Sequence, residues 1–321
     1  MSESGALHLS TGLHGKTIDK DQLDSTVEQY AKYHDLHGGD EEFRKSNYSD
    51  LVKKYYDLVT TFTEYHWGQS FHFAPRWHGE TLRESIKRFE HFITLQLGLK
   101  KGMKVLDVGC GIGGPLREIA RFSSTEITGL NNNANQISRG KELISLAGLS
   151  EQCNFIEGDF MNMPFPDNTF DAAYAIEATI HAPDVLGAYR EIYRVLKPEI
   201  ELGCGLPDVR STRECIQAMK DAGFEVIFAK DLAEDSDCPW YHEIDPGHFS
   251  LKSISTSRVG HLLTRAIVGT LEFLRIAPKG CNRLFSILQT ASHGLLTGSR
   301  EQIFTVTFFV LGRKPLKESE I

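Results

Sequence analysis

The chain of 321 residues is long enough for two domains, and its composition, 40% hydrophobic and 24% charged, is that of a folded protein. These proportions exclude a disordered or fibrous chain. The formal net charge of −8 has the wrong sign for broad contact with a phosphate backbone, so we expect no nucleic-acid partner. The six cysteines include no C-x-x-C pair, and we expect neither a disulfide framework nor a metal site.

The N-terminal region is predicted to be a flexible arm over residues 1–46, because it is polar and rich in Gly, His and Asp. It has no basic start followed by an apolar region, as a signal peptide would have. The chain contains no uninterrupted apolar run of about 18 residues, so we expect no membrane-spanning helix.

Residues 47–98 are predicted to form two helices joined by an aromatic loop. The first helix carries an apolar stripe from Leu51 to Tyr65 at steps of four and three, with Ser49 as its cap. The second helix is predicted over residues 80–97, with Gly98 in the left-handed position just after it. The loop between the helices reads TEYHWGQSFHFAPRWHG.

Residues 99–235 alternate short apolar runs with helical segments, which predicts a doubly wound, mostly parallel α/β sheet with helices on both faces. The predicted strands are KVLDVG (104–109), EITGL (126–130), CNFIEGD (153–159), DAAYAIE (171–177) and FEVIFA (224–229). Ser211 and Glu214 have the spacing of a capping box before the last helix of this unit.

Residues 236–300 are predicted to form a helical cap inserted before the last strand. The segment contains two amphipathic stretches, 259–273 and 284–296. The last strand is predicted in IFTVTFFVL (303–311), within a final unit of residues 301–321.

The turn after the first strand, VGCGIGGP, is predicted to bind a nucleotide-like ligand through its backbone N–H groups. Gly109, Gly111 and Gly114 fit the dinucleotide pattern G-x-G-x-x-G, while Gly109, Gly111 and Gly113 fit the tighter pattern G-x-G-x-G. Asp107, two residues before the first glycine, would repel a pyrophosphate and would suit a cationic ammonium or sulfonium group. The acid favours the tighter pattern, and the combination resembles the motif of the class I S-adenosylmethionine-dependent methyltransferases.

Two later strand ends carry further candidate cofactor contacts. Asn131 follows the second strand, where an amide can bond to a ribose diol. Asp159 and Phe160 follow the third strand and offer an acceptor for the adenine amine and an aromatic wall for its ring. The alternative for Asp159 is that its side chain only caps a turn.

These motifs together resemble the sterol 24-C-methyltransferases, the plant enzymes that act on cycloartenol most of all. The resemblance rests on EYHWGQSFHFAPRW, LDVGCGIGGPLREIARF, TGLNNN, GDFMNMPFPDNTFDAAYAIEATIHAPD and the PWY segment, and it covers nearly the whole chain. It implies a Rossmann-like class I fold, S-adenosylmethionine as methyl donor, a sterol substrate and a homo-oligomer. It further implies contact with the endoplasmic reticulum membrane surface, or a cytoplasmic location.

The chemistry of such a reaction assigns roles to the aromatic loop and to the end of the fourth strand. Attack by a side-chain alkene leaves a carbocation, which aromatic faces stabilise without attacking it. Trp67, Phe71 and Phe73 are predicted sterol contacts, with core packing as the alternative for each ring. A base must then remove a proton. The candidate catalytic residues are Tyr65, Glu177 and His181; Glu177 could instead orient the sulfonium or a sterol hydroxyl, and His181 could be a core histidine.

The chain departs from the family at three places, of which Ile180 in place of a small Cys is the mildest. His66 stands where the family has Gly, which puts the local backbone conformation in question. Only twelve residues, EIELGCGLPDVR, separate Pro198 from Ser211, and Gly203, Gly205 and Pro207 interrupt their apolar positions. We therefore expect an internal deletion after Pro198 and the loss of the usual fifth strand.

The expected deletion leaves other functions open. One is an inactive or regulatory isoform that binds sterol or the full-length enzyme. Another is a methyltransferase for a different lipophilic acceptor, and the most distant is a nicotinamide dehydrogenase.

Overall fold

The structure is a computed structural model, and the residues that it describes form one sheet with helices on both faces. The described residues are 28–30, 32, 41–197, 201–206, 212–243, 258–274, 280–283, 285, 286, 289, 296, 300, 305 and 307–315, without the side chains of 41, 62, 65, 66, 201–206, 242, 243, 258 and 259.

Seven strands of the described residues pair in the order β3-β2-β1-β4-β5-β7-β6. Strand β7 runs antiparallel to β5 and β6, and the other pairs are parallel. The predicted doubly wound α/β class is confirmed. The strands are β1 Lys104–Val108, β2 Glu126–Asn131, β3 Cys153–Glu157, β4 Ala172–Ile176, β5 Glu201–Leu206, β6 Glu225–Asp231 and β7 Phe308–Arg313.

The described helices are α1 Glu41–Ser46, α2 Tyr48–Trp67, α3 Leu82–Gln96, α4 Gly114–Ser123, α5 Ala134–Leu146, α6 Val185–Val195, α7 Thr212–Asp221 and α8 Arg258–Phe273. Short 3-10 turns follow at Thr179–His181, Leu232–Asp235 and Trp240–Glu243.

The core lies on both faces of the sheet, because successive side chains of a strand point to opposite sides. In β1, Leu106 and Val108 belong to the buried cluster that includes α6 and α7. Val105 belongs to the cluster on the other face, with α3, α4 and α5. The same alternation places Asp107 on the face of α3 to α5 and directs its carboxylate into this buried layer.

The expectation that the fifth strand is missing is wrong. Residues 201–206 form β5, which pairs in parallel with β4 and antiparallel with β7, so that Cys204 aligns with both Ala175 and Val310. Without β5, the neighbouring strands β4 and β7 would present unpaired N–H and C=O groups. The free-energy cost of leaving those groups unpaired outweighs the poor strand propensity of Gly203 and Gly205. Pro198, Pro207 and the expected cap Ser211 lie outside the described residues.

Several predicted boundaries in the N-terminal part are corrected. Helix α1 lies within the expected flexible arm. Helix α2 begins after Asn47, so Ser49 lies inside it, and it continues to Trp67, through residues expected in a loop. His66 is therefore helical, and the positive φ belongs to Gly68 at 87°. The departure from Gly at position 66 thus needs no special backbone conformation.

Other boundaries follow the sequence closely. Helix α3 begins with a capping box between Thr81 and Glu84, and Gly98 after it has a φ of 58°. Helix α8 covers the first amphipathic stretch of the predicted cap, whereas most of the second, 284–296, lies outside the described residues.

Candidate active site

A cleft opens at the carboxyl edge of the sheet, where ligands bind in open α/β folds. Its empty volume is about 800 Å³, including the part open to solvent. The predicted site residues that line it are Phe71, Asp107, Gly109, Gly111, Asn131, Phe160, Glu177 and His181. Five segments distant in sequence therefore meet in one cleft.

The glycine loop turns tightly between β1 and α4. Gly109, Gly111 and Gly113 all have positive φ values, of 73°, 55° and 72°. A Cβ at Gly109 would lie 2.4 Å from the Cβ of Ala178, so this glycine also permits close contact with the end of β4. Gly114 instead packs under the carbonyl of Gln69, 2.0 Å from the position of an added Cβ. Gly114 therefore lets α4 pack closely against the segment after α2, which leaves the tighter glycine pattern for the ligand.

Asp107 provides a buried carboxyl at the floor of the cleft. Its side chain is 2% exposed, and Oδ2 accepts a hydrogen bond from the Tyr174 hydroxyl at 3.1 Å. Burial raises the pKa of Asp107 to about 7, although the hydrogen bond from Tyr174 opposes this shift. A cation bound beside this carboxyl would restore its charge.

Asn131 lies at the end of β2, beside the glycine loop. Its Nδ2 donates to the carbonyl of Gly111 at 3.2 Å and to Gln136 Oε1 at 2.8 Å. These bonds fix the amide orientation and connect α5 to the cofactor loop. The expected contact with a ribose diol stays a prediction.

Asp159 does not line the cleft. One carboxylate oxygen accepts the Met161 N–H at 2.9 Å, as in a turn, and the other accepts the Tyr48 hydroxyl. Phe160 does line the cleft, with its ring centroid 6.4 Å from that of Tyr48. The geometry thus favours a role for Asp159 in capping its turn and in holding Tyr48 of α2, and its adenine contact stays a prediction.

Glu177 and His181 lie on the other wall of the cleft. Glu177 Oε1 accepts the Phe73 N–H at 2.7 Å, and burial raises the pKa of Glu177 to about 7. Glu177 has a φ of 52°, a left-handed conformation that costs a non-glycine residue free energy. His181 Nε2 lies 3.0 Å from the Tyr56 hydroxyl, and burial lowers the pKa of His181 to about 4.

The aromatic residues divide into two groups. Phe71 lines the cleft above Gly111. Trp67 and Phe73 meet edge to face at 5.8 Å, and Phe73 meets Trp240 at 4.8 Å, so these rings form a separate cluster outside the lining. Tyr65 lies in the last turns of α2, and its side chain is outside the described part of the structure.

Helix α2 supplies lining residues that the sequence reasoning missed. Tyr48, Val52 and Tyr56 recur at steps of four and face the cleft, and His72 lines it after the helix. This second series on α2 was a signal in the sequence. The more apolar series from Leu51, which predicted the buried stripe, has described members that are only half-buried.

Polar contacts hold α2 over the cleft like a lid. Described bonds join Asp57 Oδ1 to Asn133 Nδ2 at 2.9 Å, Thr60 Oγ1 to Gln136 Nε2 at 2.9 Å and Glu64 Oε1 to Arg139 Nη2 at 2.7 Å.

Comparison with known proteins identifies the family. Residues 106–203 match the family described as Methyltransferase domain, and residues 251–316 match Sterol methyltransferase C-terminal. The chain is 58% identical to cycloartenol-C-24-methyltransferase 1 of Oryza sativa subsp. japonica, over 99% of this chain and 100% of that protein. The chain belongs to the sterol methyltransferase family. The resemblance inferred from the motifs is confirmed.

This sterol methyltransferase is also similar to relatives from a second plant and from a fungus. Identity is 56% to the cycloartenol-C-24-methyltransferase of Arabidopsis thaliana, over 96% of this chain and 100% of that protein. It is 39% to the sterol 24-C-methyltransferase of Yarrowia lipolytica, over 87% and 83% of the two chains. The rice alignment spans 345 positions, more than the 321 residues of this chain, so the rice protein has residues with no counterpart here.

Solved structures support the fold of this sterol methyltransferase. The [4+2]-cyclase SpnF aligns with a TM-score of 0.65 at 24% identity, over 84% of this chain and 97% of that chain. The geranyl diphosphate C-methyltransferase of Streptomyces coelicolor A3(2) aligns with a TM-score of 0.58 at 15% identity, over 83% and 98%. At these identities the likeness establishes the fold alone.

Two absences concern the described residues alone. None of the helices there is both long and apolar enough to cross a bilayer. No three His, Cys, Asp or Glu side chains in those ranges are grouped as a metal site requires, and the expectation of no metal stays a prediction.

Proposed function

We propose that this protein transfers a methyl group from S-adenosylmethionine to carbon 24 of a cycloartenol-like sterol. The observation that carries the proposal is its 58% identity, over nearly the full length, to a cycloartenol-C-24-methyltransferase. The cleft supports it, because a buried acid and a glycine loop with positive φ values lie at the carboxyl edge of the sheet.

The described residues fit the methyl donor. Asp107 would face the cationic part of the methyl donor, and Phe160 would cover its adenine ring. The loop from Gly109 to Gly113 has no side chains at its glycines, so the ligand could lie against its backbone N–H groups. Asn131 is proposed to bond to its ribose. When bound, S-adenosylmethionine supplies a methyl group on a positively charged sulfur.

The protein side of the reaction is positioning, water exclusion and stabilisation of positive charge on the sterol. An alkene is a weak nucleophile and must be held in line with the methyl group under a closed lid. Phe71 and Tyr56 present rings to the cleft, and each cation–π contact in a dry site contributes on the order of 2 kcal/mol. Trp67, Phe73 and Tyr65 are proposed as further sterol contacts beside these rings.

A base in the cleft must take the proton lost from the alkylated side chain. We propose Glu177, because its carboxyl lines the cleft and its pKa of about 7 allows it to accept a proton at neutral pH. His181 is neutral above about pH 4 and is the alternative acceptor.

Strand β5 closes the sheet behind both residues, which removes the structural basis for an inactive isoform.

A methyl-transfer assay with a matched sterol pair tests the proposal. We expect mass spectrometry to detect a singly methylated product from cycloartenol and none from the same sterol with a saturated side chain. Phosphoethanolamine and a prenyl quinone complete the acceptor panel. Folded protein that binds S-adenosylhomocysteine yet methylates no sterol with an unsaturated side chain would contradict the proposal.

Helix α8 is proposed to contact a bilayer, from which a sterol would enter. Its outer face is mostly apolar, because its large exposed apolar residues lie within 140° of one another around a helix at 100° per residue, with Thr270 as an exposed polar residue in the same arc. Exposure reaches 72% at Leu262 and 87% at Phe273. The other exposed apolar residues of this face are Leu263, Ile267 and Leu274.

Flotation with phosphatidylcholine vesicles that contain sterol tests this contact. We expect Leu263→Ser with Ile267→Ser to lower the vesicle-bound fraction severalfold, because burial of each side chain contributes about 1.5–3 kcal/mol. The control is Leu95→Ser with Leu146→Ser, which removes two exposed leucines from other helices. Equal binding of all three proteins would contradict the proposal. If the α8 variant instead changes the mass in solution, this face belongs to the expected homo-oligomer.

A further inference from the structure

A buried polar chain runs from helix α3 to Glu177 through the segment after α2. Ser70 Oγ donates to Glu90 Oε1 at 2.7 Å, and His72 Nε2 lies 3.3 Å from the same oxygen. On its other side, His72 Nδ1 donates to the Phe73 carbonyl at 2.7 Å. The Phe73 N–H donates to Glu177 Oε1, also at 2.7 Å. Residue 73 is thus held by the histidine and in turn holds the glutamate.

The ionisation of His72 follows from its partners. A carbonyl only accepts, so Nδ1 carries a hydrogen, and an ionised Glu90 then requires a second hydrogen on Nε2. Both side chains are 2% exposed. Burial alone would lower the pKa of His72, but the hydrogen bond and charge of Glu90, with Glu177 contributing, raise it above its ordinary value. The contact with Glu90 therefore favours the protonated form of the buried His72.

The charge on protonated His72 acts on nearby acids. His72 lowers the pKa of both Asp107 and Glu177, in opposition to the burial that raises them, whereas the charge of Glu90 adds to the raised pKa of Asp107. Tyr56, on the lid, also interacts electrostatically with Glu177. The cation acts on the two acids that the proposed reaction uses.

We propose that His72 and Glu90 form a positioning pair for Glu177, holding its carboxylate through Phe73 and opposing its negative charge. The role rests on the proposed methyl transfer, in which Glu177 accepts the proton. Neither residue needs to touch the sterol. The competing interpretation is a structural bond that only ties α3 to the segment after α2.

The decisive variant is Glu90→Gln, which keeps the shape and an acceptor oxygen for His72 but removes the charge that keeps the imidazole protonated. The carboxyl of Glu177 then loses an adjacent cation, and its titration midpoint rises by about one pH unit. Methyl transfer at pH 7 falls about fivefold and recovers at pH 9, as follows from a midpoint moved from about 7 to about 8.

A second readout does not require activity. Infrared difference titration follows the Glu177 carboxyl band, identified as the band that Glu177→Gln lacks. We expect the same upward shift in Glu90→Gln and in His72→Asn, which keeps an N–H donor without a charge. Glu118→Gln is the matched control. Glu118, on α4, lies 2.8 Å from His91 Nε2, so it also pairs with a histidine, and His91 is the neighbour of Glu90 on α3. Neither Glu118 nor His91 is among the residues that line the cleft.

The outcomes separate the two levels of the proposal. A loss of activity that is equal at every pH, with an unmoved carboxyl band, overturns the positioning role and leaves a structural bond. A moved band in protein that methylates no sterol supports the positioning pair and refutes the reaction. If Glu90→Gln does not fold, His72→Asn decides by the same band.

Discussion

Asp107→Asn is expected to weaken the binding of S-adenosylmethionine 10- to 100-fold at pH 8. A hydrogen bond or contact with a charged partner contributes about 1.5–3 kcal/mol, and the amide of Asn has no charge to offer a cation. Titration calorimetry with S-adenosylmethionine and S-adenosylhomocysteine measures the loss. If Asp107 faces the sulfonium, the first ligand loses more affinity than the second, and if it faces the ammonium both lose equally.

The same variant is expected to be more stable than the wild type above pH 7. Burial raises the pKa of Asp107 from 3.8 to about 7, so the folded protein bears the cost of ionisation fully above pH 7 and not at all below about pH 3.8. At about 1.4 kcal/mol per pKa unit, the gain in free energy of unfolding is on the order of 4 kcal/mol at most. Urea denaturation from pH 5 to pH 8 should show the gap widening.

Asp171→Asn is the control for both effects, and its stability change has the opposite sign. Asp171 precedes β4, at the edge of the sheet remote from the cleft, and accepts from Lys197 Nζ at 2.6 Å. Burial raises the pKa of Asp171, but Lys197 and the Lys104 N–H lower it by more, so its carboxylate stabilises the fold above its ordinary pKa. This variant should lose stability at pH 7 and bind both ligands normally. Asp107→Asn with normal affinity for both ligands would refute the cofactor role.

Glu177→Gln is expected to lower the rate of methyl transfer by about 10²–10⁴-fold with small changes in the affinity of both substrates. Gln keeps the size of the side chain and the left-handed backbone of residue 177, so the variant isolates the lost base. Single-turnover measurement of methylated sterol gives the rate. Glu157→Gln, at the exposed end of β3, is the matched control.

The pH profile of the wild type decides between the two candidate bases. A carboxylate with a pKa of about 7 accepts a proton only when ionised, so activity should rise with pH around a midpoint of about 7 if Glu177 is the base. If His181 is the base, activity should fall only near pH 4. An acidic midpoint near 4 together with a fully active Glu177→Gln would reassign the base to His181.

How far the sequence predicts this protein differs from one element to the next. Strands β1 to β4 were predictable because short apolar runs bounded by polar turns need no distant partner to be recognised. The glycine loop was predictable because positive φ values at three positions leave little choice of residue. Strand β5 was not, because its glycines and its cysteine form a strand only between two neighbours that supply the pairing.

The site shows the same division. The sequence by itself determined the family, the order of the strands apart from β5, and the acid and glycines of the cofactor loop, because these depend on local pattern and spacing. Only the tertiary structure decided that Asp159 bonds to Tyr48, that Trp67 and Phe73 pack beside Trp240, and that His72 lies between Glu90 and Phe73. Those contacts join residues from separate elements, and burial then sets the pKa of each acid, so neither the partners nor the charges can be read from neighbours in the chain.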